Sequence, residues 1–348
     1  MIRFLWRWVK RGVLAVLILL LAVIAPIGYN ELACQSEVQA DAYTPILPSE
    51  HHRPESRTYL TYPEWHIVHA YDDYAKVIET GDPHQYGFLR SIFGFWSSLC
   101  DLSRVSGAYG GFPFETKQMV YVIGASFTVE MLAKAAYEET FGRIATLIRG
   151  DEHSALDRLS AEQARGYATF LQQVPWYKWD FLGDARALDV TATDALRDRE
   201  RQFALGIEYR VKSGYAGVIA GAVEGVGGDA LTLRMIVDAH NAPSNEAVTV
   251  IGKRPEGVEL ETIRYRALTR ILLEMAAQGV NFVEIAGNDD IMLTVLSEQA
   301  AMEGAQSSMQ RQGYRDYRHL VGVKVGDLAE TLRKYANTGI LVEHIHDY

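Results

Sequence analysis

The chain has 348 residues, enough for about two domains and a sizeable core. With 48% hydrophobic and 22% charged residues it has the composition of a folded protein, which excludes wholesale disorder. A net charge of −10 excludes a nucleic-acid binder that works by neutralising phosphates.

The first twelve residues carry Arg3, Arg7, Lys10 and Arg11 and no acid, and the 19 residues from Gly12 to Asn30 carry no charge. At 1.5 Å rise per residue, that run approaches the hydrocarbon thickness of a bilayer. A basic flank before the apolar run predicts a single-pass inner-membrane anchor over 13–29. The tip at 1–12 is then cytoplasmic and the rest of the chain lies outside, in a periplasmic-type compartment. A cleaved signal would be cut after Ala25, directly before Pro26, which disfavours it. "ELAC" at 31–34 has the outline of a lipoprotein box, but Glu31 stands where an apolar residue belongs. Cys34 and Cys100 would share the oxidising side. Pairing them closes a loop of about 65 residues, about 4 kcal/mol in the chain-entropy model; two buried thiols are the alternative.

Residues 30–60, with three prolines, read as a stem between bilayer and body. Residues 61–228 read as a mainly helical domain. Its first helix, "PEWHIVHAYDDYAKVIE", has Pro63 in the first turn and Thr61 and Glu64 at capping-box spacing. His66, His69 and Asp73 fall at i, i+3 and i+7 on one face, a ligand set suited to zinc or non-haem iron. The plainer reading is a solvated polar face, with Asp72 and Asp73 pairing with Lys76, in which each His→Ala change costs under about 1 kcal/mol. In "TKQMVYVIGASFTVEMLAKAAYEETFGRIATLI" the ladder of Glu130, Lys134 and Glu138 predicts a solvated face and argues against a second span. The aromatic cluster Trp176, Tyr177, Trp179 and Phe181 suits a helix-end plug, a headgroup contact or a sugar-stacking surface. Gly217, Gly221 and Gly225 recur every four residues. They mark a smooth groove for close helix packing within the domain or against another subunit.

Residues 229–348 change to an α+β pattern. Strands are predicted at "LTLRMIVDA", "VTVIG", "NFVEIA", "IMLTVLS", "LVGVKV" and "ILVEHIHDY", with helices at "LETIRYRALTRILLEMAAQG" and "GDLAETLRKYANTG". "GNDD" reads as a hairpin turn, and the order suggests a ferredoxin-like sandwich with extra strands. His344 and His346 share a strand face with His240 on a nearby loop, a second ligand candidate. Glycine-rich nucleotide loops, G-x-S-x-G, H-E-x-x-H and C-x-x-C are absent. The expected function is a non-catalytic, membrane-anchored envelope protein that scaffolds a protein partner or self-associates. A tethered metal enzyme using His66, His69 and Asp73, or an extracytoplasmic ligand sensor, are the alternatives.

Overall fold

The computed structural model describes residues 2–40, 42–226, 231–238 and 247–348. Helix α1 (Ile2–Ala33) leads into helices α2 (Arg57–Leu60), α3 (Tyr62–Thr80), α4 (Phe88–Ser106) and α5 (Phe114–Tyr137). A π-helical turn over Glu138–Gly142 joins α5 to α6 (Arg143–Arg149). Helices α7 (Ala155–Leu171), α8 (Phe181–Thr191) and α9 (Leu196–Val226) complete this half. The chain is therefore a mixed helix-and-sheet protein with an N-terminal apolar helix that is a candidate span.

That helix is built into the body at its far end. Asn30 is buried and donates to the Ser103 hydroxyl at 3.2 Å, and Lys117 pairs with Glu31 at 2.9 Å. Cys34 and Cys100, 66 positions apart, are bonded through their sulfurs. Beyond Cys34 the chain forms a strap laid across the body, where a free stem was expected. The Glu284 carboxylate, wholly buried, accepts from the backbone amides of Ile46 (2.5 Å) and Leu47 (2.8 Å) and from the Tyr43 hydroxyl (2.7 Å). One carboxylate thus satisfies three donors that a linker would leave to water. Further along, Arg53 donates to the backbone carbonyl of Tyr348 at 2.9 Å.

The second half is a duplication. Strands β1 (Thr232–Asp238), β2 (Val248–Arg254) and β3 (Gly257–Ile263), helix α10 (Arg266–Ala277) and strand β4 (Asn281–Ile285) form one unit. Strands β5 (Asp290–Ser297), β6 (Ala305–Gln310) and β7 (Tyr317–Lys324), helix α11 (Val325–Thr338) and strand β8 (Leu341–His346) repeat it. The two antiparallel sheets have the orders β2-β3-β1-β4 and β6-β7-β5-β8, the same arrangement twice. This corrects the ferredoxin-like expectation, because the strands do not enter one sheet. "GNDD" carries the chain from one sheet to the other; β4 and β5 are not partners. Both sheets and both helices share one core, with Leu268, Leu272 and Met275 of α10 and Leu328 and Leu332 of α11 fully or nearly buried. Full burial of each such side chain contributes about 1.5–3 kcal/mol, so the two units hold each other together.

Candidate functional site

The two histidine clusters of the sequence meet in space. Helix α3 lies against the second sheet, and Tyr62, Trp65 and Val68 pack there with Met292 and Leu320. His69, Asp73, His344 and His346 are buried between these layers, and His66 is buried where α3 meets α4 and α5. This corrects the solvated-face reading of α3, and with it the small cost expected for His66→Ala and His69→Ala. The capping box is not made either. The Thr61 hydroxyl instead bonds the Thr58 carbonyl and reaches His346 Nδ1 at 3.5 Å, since α2 runs almost directly into α3.

His66, His344 and His346 each have a partner on a ring nitrogen, while His66 Nδ1, His69 Nε2 and His344 Nε2 are buried without a hydrogen bond. His66 Nε2 lies 2.9 Å from the Ser91 carbonyl, in space left by Gly94, where a Cβ would sit 2.8 Å from the ring. His346 Nε2 is 2.6 Å from the Thr294 hydroxyl. His344 Nδ1 is 3.2 Å from the Thr269 hydroxyl, and its ring stacks on Trp65 with centroids 3.4 Å apart. Burial pushes the His66 imidazole down to about 4 and His346 to about 3. His69 and His344 are also pushed well below their usual value by burial first, then by neighbouring positive or imidazole charge. His69 Nε2 stands 3.5 Å from a Glu343 oxygen without a formed hydrogen bond. Burial and the Arg318 guanidinium outweigh that carboxylate, and the ring is neutral at pH 7.

Arg318 is the centre of charge. It forms a two-pronged pair with Glu343 at 2.5 and 2.8 Å and lies 3.6 Å from Asp73 Oδ1. Asp73 Oδ2 accepts from the Gln312 amide at 2.9 Å. Burial raises the Asp73 carboxyl to about 6 although Arg318 opposes it. Asp72 pairs with Arg311 and Arg165, and Lys76 with Glu79, so the expected pairing of these aspartates with Lys76 is replaced.

This donor set does not fit a metal on α3. Among the described residues, the group whose ligand atoms all lie within 4.8 Å of one another is Glu55, Asp289 and Asp290. There Lys324 already bonds both aspartates, and a Glu55 oxygen accepts the amides of Asp289 and Asp290. His66, His69 and Asp73 do not converge in that way, because Asp73 turns to Arg318 and Gln312 and His66 to Ser91. His240 lies outside the described residues.

Beside this seam, and sharing Trp65 with it, is a cavity of about 250 Å³ between α3, α5, α7 and α9. Trp65, Tyr71, Phe127, Tyr167, Trp176 and Tyr215 supply aromatic walls. The aromatic cluster at 176–181 acts as a plug here: Trp176 stacks on Tyr215 at 5.3 Å and Phe181 is buried. At one end Tyr71 donates to Glu130 at 2.6 Å, and Lys212 Nζ lies 2.8 Å from Glu130 and 3.0 Å from Glu208. Lys134 closes the set at 2.8 Å from Glu208.

Helix α5 is therefore turned inside out relative to expectation. Glu130, Lys134 and Glu138 face Lys212, Glu208 and Arg201 of α9, because oppositely charged partners there satisfy them. The outward positions are Phe114, Glu115, Gln118, Met119, Val122, Ser126, Val129, Ala133 and Ala136, and the charged one, Glu115, lies in the first turn. On α9, Phe203, Ile207, Val211 and Val218 are likewise exposed, with Arg199 and Arg210 the charged residues on the same surface. Among the described residues two stretches are long and apolar enough to cross a membrane, Lys10–Ala33 and Phe114–Arg149.

Gly217 and Gly221 correct a further expectation. A Cβ at either would meet nothing within 4 Å, so among the described residues no other helix packs on these two glycines. Gly225 belongs to α9, but its surroundings lie outside what is described. Gly217→Ala should accordingly stabilise the body by about 0.5–1 kcal/mol through helix propensity, read as a higher urea midpoint. A fall in stability would show that a neighbour already occupies that face.

Sequence reasoning missed Arg318, Glu343, Glu208 and Lys212. The signal for the last two was present as Glu208 and Lys212 at i, i+4, opposite an apolar stripe. Compared with known proteins, the chain matches no family model, no curated protein and no solved structure.

Proposed function

We propose that this chain is a single-pass inner-membrane protein, with its N-terminus cytoplasmic and its bulk in the periplasmic-type compartment. Its body rests on the bilayer and works by binding, as a scaffold or interaction component, rather than by catalysis. The observation that carries this reading is the reversed polarity of α5 and α9: charges paired inward, apolar side chains outward, beside the docked end of α1. In water such a face loses the benefit of burial, whereas hydrocarbon or the headgroup boundary provides it. The polar groups of the α3–β8 seam are sealed between layers and serve to join the two halves.

The test uses the full chain in lipid nanodiscs, with an environment-sensitive fluorophore placed singly by V122C, V129C, V211C or V218C. These labels should be quenched by nitroxide lipids and protected from iodide, while a label from D327C on α11 should behave oppositely. Equal iodide access at all five positions would overturn bilayer contact. A C-terminal reporter that works only in the cytoplasm would overturn the orientation.

A further inference from the structure

We propose that the aromatic cavity between α3, α5, α7 and α9 holds the hydrocarbon chain of a membrane lipid, which enters sideways from the outer leaflet between α5 and α9. The inference deepens the reading above and rests on it for the source of the ligand. Three observations point to this occupant.

The walls are mainly apolar and aromatic, Glu64 in the lining is exposed, and the charges at the inner end cancel: Glu130 and Glu208 against Lys134 and Lys212. A ligand gains nothing there by carrying net charge and gains most by offering hydrocarbon, the usual chemistry of an apolar pocket with few polar groups. The rim is made by side chains on the outward faces: Val122 and Ser126 of α5, and Tyr215 of α9. The anchor also meets α5 next to that rim. The Tyr121 hydroxyl donates to Asn30 Oδ1 at 2.8 Å, and Ser126 lies five residues further on, about 7 Å of helix rise. The mouth is thus held close to the end of the apolar run, where acyl chains are the most abundant apolar ligand. The headgroup stays at the rim and the chain lies against Phe127 and Tyr167.

The test uses the full-length protein in detergent and a long-chain fatty acid with a mid-chain diazirine as the probe. Irradiation should label residues 122–127 and 171–176 as well as α1, and excess oleate should compete only at the first two segments. Ser126→Trp and Leu171→Trp fill the cavity from different walls. Each should cut labelling of those segments about tenfold, the loss expected when a few methylenes are denied burial, and leave α1 labelling unchanged. A variant is scored only if its far-UV circular dichroism and melting midpoint match the parent, and the oleate competition needs no variant. Labelling confined to α1, or cavity labelling that oleate does not displace, would overturn the proposal. Saturable cavity labelling in detergent together with iodide-accessible α5 and α9 positions in nanodiscs would leave a chain-binding cavity and remove the bilayer as its source.

Discussion

Arg318→Met should destabilise the folded protein by about 3–5 kcal/mol, the range for removing one partner of a buried ion pair. The guanidinium is almost completely buried and stands between two carboxylates, Glu343 and Asp73, that would otherwise repel each other in a dry seam. Methionine keeps the volume but leaves Glu343 without its guanidinium partner and Asp73 with the more distant Arg311 alone. The cost then comes from charge rather than from a cavity. Adding Glu343→Met should return at least half of the loss, because Asp73 retains the Gln312 amide and lies 3.8 Å from Arg311. Urea denaturation of the single and double variants measures both values. A loss below about 1 kcal/mol for Arg318→Met would mean that water reaches the seam and screens the pair.

Acidification from pH 7 to 5 should reduce stability by about 3 kcal/mol or more, and the sign follows from the buried imidazoles. His66 and His346 have folded values near 4 and 3, below the ordinary 6.5. The unfolded chain therefore binds more protons across the interval between those values. Their contribution is complete above pH 6.5 and is lost as pH falls below it, about 2 kcal/mol each by pH 5. His69 and His344 act in the same direction. Asp73 acts in the opposite one: its carboxyl is raised to about 6, so protonation favours the folded state and returns about 1 kcal/mol over the same range. The histidines outnumber it. His346→Asn should remove about 2 kcal/mol of the pH dependence, measured as the difference in unfolding free energy between pH 7 and pH 5. A flat profile in the parent protein would show that the imidazoles are hydrated.

The legible parts of this protein were those where one local rule acts alone. The basic tip and apolar run gave α1, and strong 3.6-residue periodicity gave α10 and α11. Two strands were missed for opposite reasons. β6, "AQSSMQ", is polar and lies at a sheet edge, so it lacks the apolar alternation of a half-buried strand. β3, "GVELETI", was absorbed into the following helix because Leu and Glu favour helix and only the sheet neighbours decide otherwise. With those two strands absent the duplication was invisible, and the remaining order resembled a different sandwich.

For the site, each histidine pair was visible in its own segment but their convergence was not. His66 and His346 are 280 positions apart, and only the packing of α3 on β8 joins them. The charge ladder on α5 failed for a related reason. Spacing places Glu130, Lys134 and Glu138 on one face, but which way that face turns depends on what α9 presents to it.

The strap at residues 36–56 has a mechanical consequence. Left slack, a segment of that length would span about 25 Å and leave the body held to α1 by Asn30, Glu31 and the Cys34–Cys100 bond alone. Here its contour is used up along the surface, pinned at Gln39, Tyr43, Leu47 and Arg53. The body consequently has no free reach relative to α1; in the proposed topology its height and azimuth would be set by the direction in which α1 leaves the bilayer. A tilt imposed on α1 would be passed to the two sheets as a rotation of the whole body rather than absorbed at a hinge.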